Sequence, residues 1–270
     1  AMSNDGNGRK LRILCLHAWR TSGTIFRDQM GLAGWLKPKA YGDLFDLEHL
    51  DAPHPASGPG DPAIEAHFEG PYYEWWNASE DRKTYHGMEE SIAYVFDYLV
   101  MHGPFDGVMG FSQGAVLASL LAALQVGIPP PAAFPSARAR RAGPSTQRED
   151  QGRKSTRCHR GELPGAVPHF KLFVLIAGFR SRDQSTKSDV YSDPIRIPSI
   201  HIMGTKDPAE VFSRHLAKAF VDPLVISHDR GHVVPRLDAD AVKHMRALAE
   251  DIIRQITATG GDGSDGGGGG

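Results

Sequence analysis

Cysteine is nearly missing from these 270 residues: there are two, Cys15 in an apolar run and Cys158 in a polar, basic one. Two such cysteines make no disulfide framework, and a reducing compartment fits them best. Long hydrophobic runs are missing too. None approaches the roughly 20 apolar residues of a membrane-spanning helix, so no stable membrane insertion is expected. Residues 1–8 are small and polar, without the apolar core of a secretory leader, which points to a cytoplasmic location. Charge of one sign is also lacking. The formal net charge is −2, so no basic footprint marks a nucleic-acid partner. No metal site is expected, and no internal repeat is visible.

What is present is apolar material for one core: hydrophobic residues make up 40% of the chain. Residues 1–8 are expected to be disordered, and residues 260–270, almost all glycine, to form a flexible tail. Between them, residues 9–259 read as one α/β domain. A short dense apolar run at 11–16 suits a buried parallel strand, 170–177 reads as another buried one, and further strands read at 44–50, 105–111, 197–203 and 224–227. Helical patterns fall at 24–36, 88–101, 112–126, 209–220 and 237–256. Strands alternating with helices predict a mostly parallel central sheet with helices on both faces. Residues 53–62 are rich in proline and glycine and read as loop, and the aromatic cluster 72–76 lies outside regular structure. Residues 129–168 break the rhythm with Pro, Ala, Arg and Ser, and read as a flexible insertion. Their basic residues outnumber the acidic ones, which leaves open a docking patch for an acidic partner or membrane surface.

One pentapeptide carries most of the functional signal: Gly110-Phe111-Ser112-Gln113-Gly114, with a buried strand before it and an Ala/Leu-rich helix after it. The pattern Gly-x-Ser-x-Gly in that context places a serine on a strained strand-to-helix turn, with glycines where strand and helix must approach. Without its context the serine would read as an ordinary helix cap. A serine hydroxyl needs a base, and in this fold the order is serine, acid, histidine. His232, preceded by Gly231 and followed by the last helix, is the expected base. Gly231 is expected to let that loop turn tightly. His228 is its competitor and is expected to support the loop. Asp207 follows the strand 197–203 and is the expected acid, doubling as a cap before Pro208. Asp183 and Asp193 are weaker candidates. An oxyanion hole needs two N–H donors, one from Gln113 and one, expected from Trp19, in the loop after the first strand. His17 in that loop has two readings, a brace or a contact to substrate. Tyr73, Trp75 and Trp76 likewise have two: lining an apolar acyl pocket or packing a long loop onto the domain.

Further segments carry a resemblance. They are Ile13-Leu14-Cys15-Leu16-His17 with Ser22-Gly23 and Phe26-Arg27, Tyr73-x-Trp75-Trp76, Glu89-Glu90-Ser91, the stretch 105–115, Gly204-x-x-Asp207, and His228-x-x-Gly231-His232-x-Val234-Pro235. Together they resemble the small serine hydrolases that include the fungal family-of-serine-hydrolases proteins and the animal ovarian-cancer-associated protein 2. The resemblance covers nearly all of residues 10–256 except 129–168. It implies an α/β-hydrolase fold, a Ser112–Asp207–His232 triad, no cofactor, and cleavage of small-molecule or carrier-bound acyl esters or thioesters. It leaves the oligomeric state open. Two departures stand out: Ala18 replaces a glycine usual in the family, and the 129–168 insertion is unusual. The alternatives are an acyl-protein thioesterase or lysophospholipase of the same fold, a non-catalytic ligand-binding protein on that fold, and a scaffold that binds through the insertion.

Overall fold

The structure is a computed structural model that describes residues 8–125, 169–184 and 190–259. The expectations for the N-terminal segment up to Asn7, for residues 129–168 and for the glycine tail lie outside the described residues.

In chain order the elements are β1 (Leu11–Leu16), α1 (Gly23–Leu32), a π-helical turn (Pro38–Gly42), β2 (Phe45–Leu50), β3 (His54–Pro55), α2 (Pro62–Glu65), β4 (Tyr73–Glu74), β5 (Asn77–Ala78), β6 (Tyr85–His86), α3 (Met88–His102), β7 (Gly107–Phe111), α4 (Gln113–Gln125), β8 (Leu172–Ile176), β9 (Ser199–Gly204), α5 (Glu210–Ala217), β10 (Leu224–His228) and α6 (Ala239–Thr259). Six strands form one sheet in the order β10-β9-β8-β7-β1-β2. Every neighbouring pair in it is parallel. The parallel sheet with helices on both faces expected from the alternation of elements is the arrangement observed.

Strand side chains alternate between faces, so each strand feeds two cores. Leu14 and Leu16 of β1 join one cluster with Ile92, Val95 and Leu99 of α3 and almost all of α4. Ile13 and Cys15 join the other with Phe26 and Met30 of α1 and Met245, Ala249 and Ile252 of α6. The central strands β1, β7, β8 and β9 are buried on both faces and show little polar alternation, while the edge strands β2 and β10 are only partly buried. The spacing of Met88, Ile92, Val95 and Leu99 puts one stripe of α3 inward, with Ser91 beside it.

Two features depart from the sequence expectation. The first helix was expected over 24–36 but ends at Leu32. Gly34 takes φ +83, and Trp35 folds back so that its N–H meets Met30 O at 2.9 Å. Its indole then enters the core and donates to Pro235 O at 2.8 Å. A large apolar residue just past the helix therefore imitated one more turn. The second feature is two small antiparallel pairs, β3 with β4 and β5 with β6, in stretches that read as loop. Strands of two residues are too short to show any alternation.

Four histidines sit in this frame with depressed basicity; burial lowers His228 on β10, and three others are lowered further. Burial pushes His201 on β9 down to about 3. Burial, with Arg27 nearby, takes His49 on β2 to about 4, and burial takes His17 to about 4. Each binds a proton more readily unfolded, near the ordinary 6.5, than folded. The unfolded chain therefore holds more protons in this window, and stability rises with pH across it. Thermal unfolding should show a flat Tm above about pH 7 and a falling one from about pH 6.5 to 4.5. His201→Leu should reduce that slope. The lowered carboxyls of Asp43 and Glu48 add their loss only in more acid solution, below their ordinary 3.8 and 4.5. A Tm independent of pH from 7 to 4.5 would contradict the reading.

Candidate active site

The site is assembled at the carboxyl ends of β7, β9 and β10, where the strands hand over to loops and helix starts. Ser112 stands between β7 and α4 with φ +53, in the left-handed region that a non-glycine residue rarely occupies. Holding a residue there costs on the order of 1–3 kcal/mol. Its N–H is fastened to Ile176 O at the end of β8, 2.9 Å away. The flanking glycines have no room for a side chain. A Cβ on Gly114 would lie 2.1 Å from Leu16 O, and one on Gly110 would lie 2.3 Å from Gly114 O.

Asp207 follows β9 after a turn closed by Asp207 N–H to Gly204 O at 3.1 Å. Its two oxygens are divided between two tasks. Oδ1 accepts the Ala209 N–H at 2.8 Å in the turn that leads to α5, and Oδ2 lies 2.7 Å from His232 Nδ1. The cap of α5 is Ala209, not Asp207 as expected, and Pro208 lies in the turn before the helix. The carboxylate is 2% exposed, while the His232 side chain is 38% exposed. His232 Nε2 lies 2.8 Å from Ser112 Oγ, and the ring leans on Phe111 at 5.3 Å. Asp207 accepts at Nδ1, so the imidazole proton sits there and Nε2 is free to take the serine proton. His228 is elsewhere engaged: its Nδ1 accepts the Arg230 N–H and its carbonyl the Thr205 N–H. Asp183 accepts the Tyr85 N–H instead of meeting His232.

The tight glycine of the histidine loop is not Gly231. A Cβ on Gly231 would meet nothing nearer than Lys206 O at 3.6 Å. The constraint falls on Gly204 at the end of β9, where a Cβ would lie 2.3 Å from Arg230 O and 2.6 Å from Gly231 O. The histidine loop packs directly on that glycine, a relation between distant residues that spacing along the chain does not reveal.

The loop after β1 is held from within. His17 is fully buried. Its Nε2 accepts the Ala52 N–H at 2.9 Å, so the proton lies on Nδ1, which points at Ala18 O at 2.7 Å. The Thr21 hydroxyl donates to the same carbonyl at 2.8 Å. The Ala18–Trp19 peptide is trans, so its N–H points opposite to its C=O. With Ala18 O held by His17 and Thr21, the Trp19 N–H points away from those two side chains, and Ala18, Trp19 and Ser112 line one cavity. The Gln113 N–H leads α4 and precedes the helical hydrogen-bond ladder.

Four of the residues proposed as substrate contacts are placed elsewhere. Both ring nitrogens of His17 are occupied, and it braces the loop. The Trp75 indole N–H donates to His17 O at 2.9 Å, Trp76 stacks on Tyr85 at 4.9 Å, and the Tyr73 N–H donates to Thr21 O at 2.7 Å. Trp75 and Trp76 are buried, so they pack the loop rather than line the pocket. The cavity beside Ser112, about 670 Å³, is lined instead by Gln29, Leu32 and Ala33 of α1, by Ile64 and Phe68 in and after α2, and by Val233, Val234 and Pro235. Ile64 and Phe68, four residues apart, were the one trace of that wall in the sequence, just after the proline- and glycine-rich stretch 53–62.

Comparison with known proteins follows the same lines. The family model described as serine hydrolase (FSH1) matches residues 2–244. The human esterase OVCA2 is 31% identical over 84% of this chain and 90% of its own. The zebrafish esterase OVCA2 is 30% identical over 91% and 97%. The Caenorhabditis elegans esterase C25G4.2 is 27% identical over 92% and 96%.

The glycine contrast is open to test. Gly204→Ala should lower stability by about 1–3 kcal/mol, because backbone must move to admit the methyl. Gly231→Ala should stay within about 0.5 kcal/mol of the parent. Urea unfolding of the two variants checks both, and equal losses would refute the assignment.

Proposed function

The chain belongs to the serine hydrolase (FSH1) family, and on that premise we propose that it cleaves carboxylic esters or thioesters through an acyl-enzyme on Ser112, with His232 as general base and Asp207 as the carboxylate that orients it. The observation that carries this reading is the unbroken chain Asp207 Oδ2–His232 Nδ1 at 2.7 Å and His232 Nε2–Ser112 Oγ at 2.8 Å, ending on a serine held in the left-handed region. Ala18, the departure that raised the receptor reading, keeps its backbone outside the left-handed region and so does not distort the loop.

The steps follow from the geometry. His232 Nε2 takes the Ser112 proton as Oγ attacks the acyl carbon. The negative charge on the former carbonyl oxygen is met by the Gln113 and Trp19 N–H groups, preset before substrate arrives. His232 returns the proton to the leaving alcohol or thiol, and the C–O or C–S bond breaks. Water then enters, loses its proton to His232 and releases the acid from Ser112. The buried Asp207 carboxylate stabilises the imidazolium at both stages. The acyl chain occupies the cavity between α1, α2 and residues 233–235, whose Leu32, Ile64, Phe68 and Val233 supply apolar contacts. The half-exposed side of His232 leaves the leaving group facing solvent, which suits a small alcohol or a carrier thiol.

Hydrolysis of p-nitrophenyl esters from acetate to palmitate is the direct test. Activity should peak at a chain length the cavity accepts. It should fall by at least about a thousandfold in Ser112→Ala and by about 10,000-fold in Asp207→Asn, which fixes the wrong tautomer. Full activity in Ser112→Ala would remove the basis of the proposal.

A further inference from the structure

Oxyanion donors work only when held to within a fraction of an ångström, and here they sit on different segments. Trp19 is on the loop after β1, and Gln113 is at the head of α4. The two strands that carry them are paired, but the ladder between β1 and β7 ends at Leu16 with Gly110. Beyond that point the sheet no longer sets the distance between the loop and the helix start.

Trp75 takes over where the ladder stops. Its indole N–H donates to His17 O at 2.9 Å, and its ring lies 5.2 Å from the His17 ring. Its backbone N–H donates to Gln113 Oε1 at 2.9 Å. The Gln113 carboxamide spans to the next peptide as well, with Nε2 donating to Trp76 O at 2.8 Å. Trp75 O is itself held by the Ser91 hydroxyl of α3. Trp75 is fully buried and Gln113 is 6% exposed, so neither contact is open to competing water. The indole fixes the His17–Ala18 peptide, while the His17 ring and Thr21 fix the next one, Ala18–Trp19.

We infer that Trp75 is a positioning residue for the reaction, joining the Trp19 segment and the Gln113 segment into one rigid frame around the oxyanion. The inference rests on the proposed reading of those two N–H groups as the oxyanion donors. It also gives a reason for an indole at this position and a carboxamide at 113. A phenylalanine ring fills the space but leaves His17 O as a buried acceptor without its donor. The frame acts on the transition state, where the charge appears, and leaves substrate binding in the cavity unaltered.

Four proteins are compared with wild type: Trp75→Phe, Gln113→Ala, Phe45→Leu and Ser112→Ala. The readouts are kcat and KM on a p-nitrophenyl ester, the affinity for an alkyl boronic acid that forms a tetrahedral adduct with Ser112, and Tm. Trp75→Phe and Gln113→Ala should lower kcat about 10- to 100-fold with KM within about twofold, and weaken the boronic acid in step. Phe45→Leu, on β2 in the core cluster that does not contain Trp75, should keep kcat within about twofold whatever its Tm. The Gln113→Ala arm carries the test if Trp75→Phe fails to fold. Wild-type kcat in the Trp75 or Gln113 variant, unchanged boronic acid affinity, or an equal loss in Phe45→Leu would overturn the inference. If Ser112→Ala is inactive while Trp75→Phe is fully active, only this inference fails; if Ser112→Ala keeps wild-type activity, the functional reading fails with it.

Discussion

The whole arrangement depends on how closely α4 approaches the end of β1. Gly114 rests against Leu16 O and His17 O, and a methyl there would lie 2.1 Å from the first and 2.6 Å from the second. That contact brings the head of a wholly buried helix beside the loop after β1. It also forces the residue between strand and helix into the left-handed region, and that residue is Ser112. The strain on the serine and the proximity of Gln113 to Trp19 are therefore two results of one close approach. The approach brings the two segments together, and the Trp75 bonds to His17 O and Gln113 Oε1 span them.

A second close approach on the other side of the site completes the geometry. β9 ends at Gly204, against the carbonyls of Arg230 and Gly231. The acid and the base leave neighbouring parallel strands, and this packing sets their separation. Asp207 can then be nearly dry because both its oxygens have partners, one the Ala209 N–H and one His232. A buried carboxylate without such partners would be strongly penalised. His232 keeps one side to solvent, as a group that must exchange protons with substrate and water requires.

The legible parts of this molecule were those written in local pattern. Apolar runs marked the central strands, because a strand buried on both faces needs no polar alternation. Gly-x-Ser-x-Gly between a strand and a helix, and the order of Ser112, Asp207 and His232, pointed to residues that the fold does bring within hydrogen-bond reach. What stayed hidden depends on contacts between distant segments. Aromatic rings at 73–76 carry the composition of a pocket, yet the indole of Trp75 serves a carbonyl 58 residues away. The true cavity wall comes partly from a four-residue helix, too short for any periodic signal. Gly231 looked like the turn-maker because it precedes His232, while the crowded position, Gly204, lies on another strand.

Ala18 shows how the frame changes the meaning of a substitution. In a family where this position is usually glycine, a methyl suggests interference with the oxyanion loop. Here the Ala18 backbone is not left-handed, so alanine adds no strain, and its carbonyl is fixed from behind by His17 and Thr21. The peptide that carries the Trp19 N–H is thus set by His17 and Thr21. Ala18 is 8% exposed and lines the cavity beside Ser112. On the proposed reading of that cavity as the acyl pocket, the substitution bears on which acyl group fits, not on whether the oxyanion is stabilised.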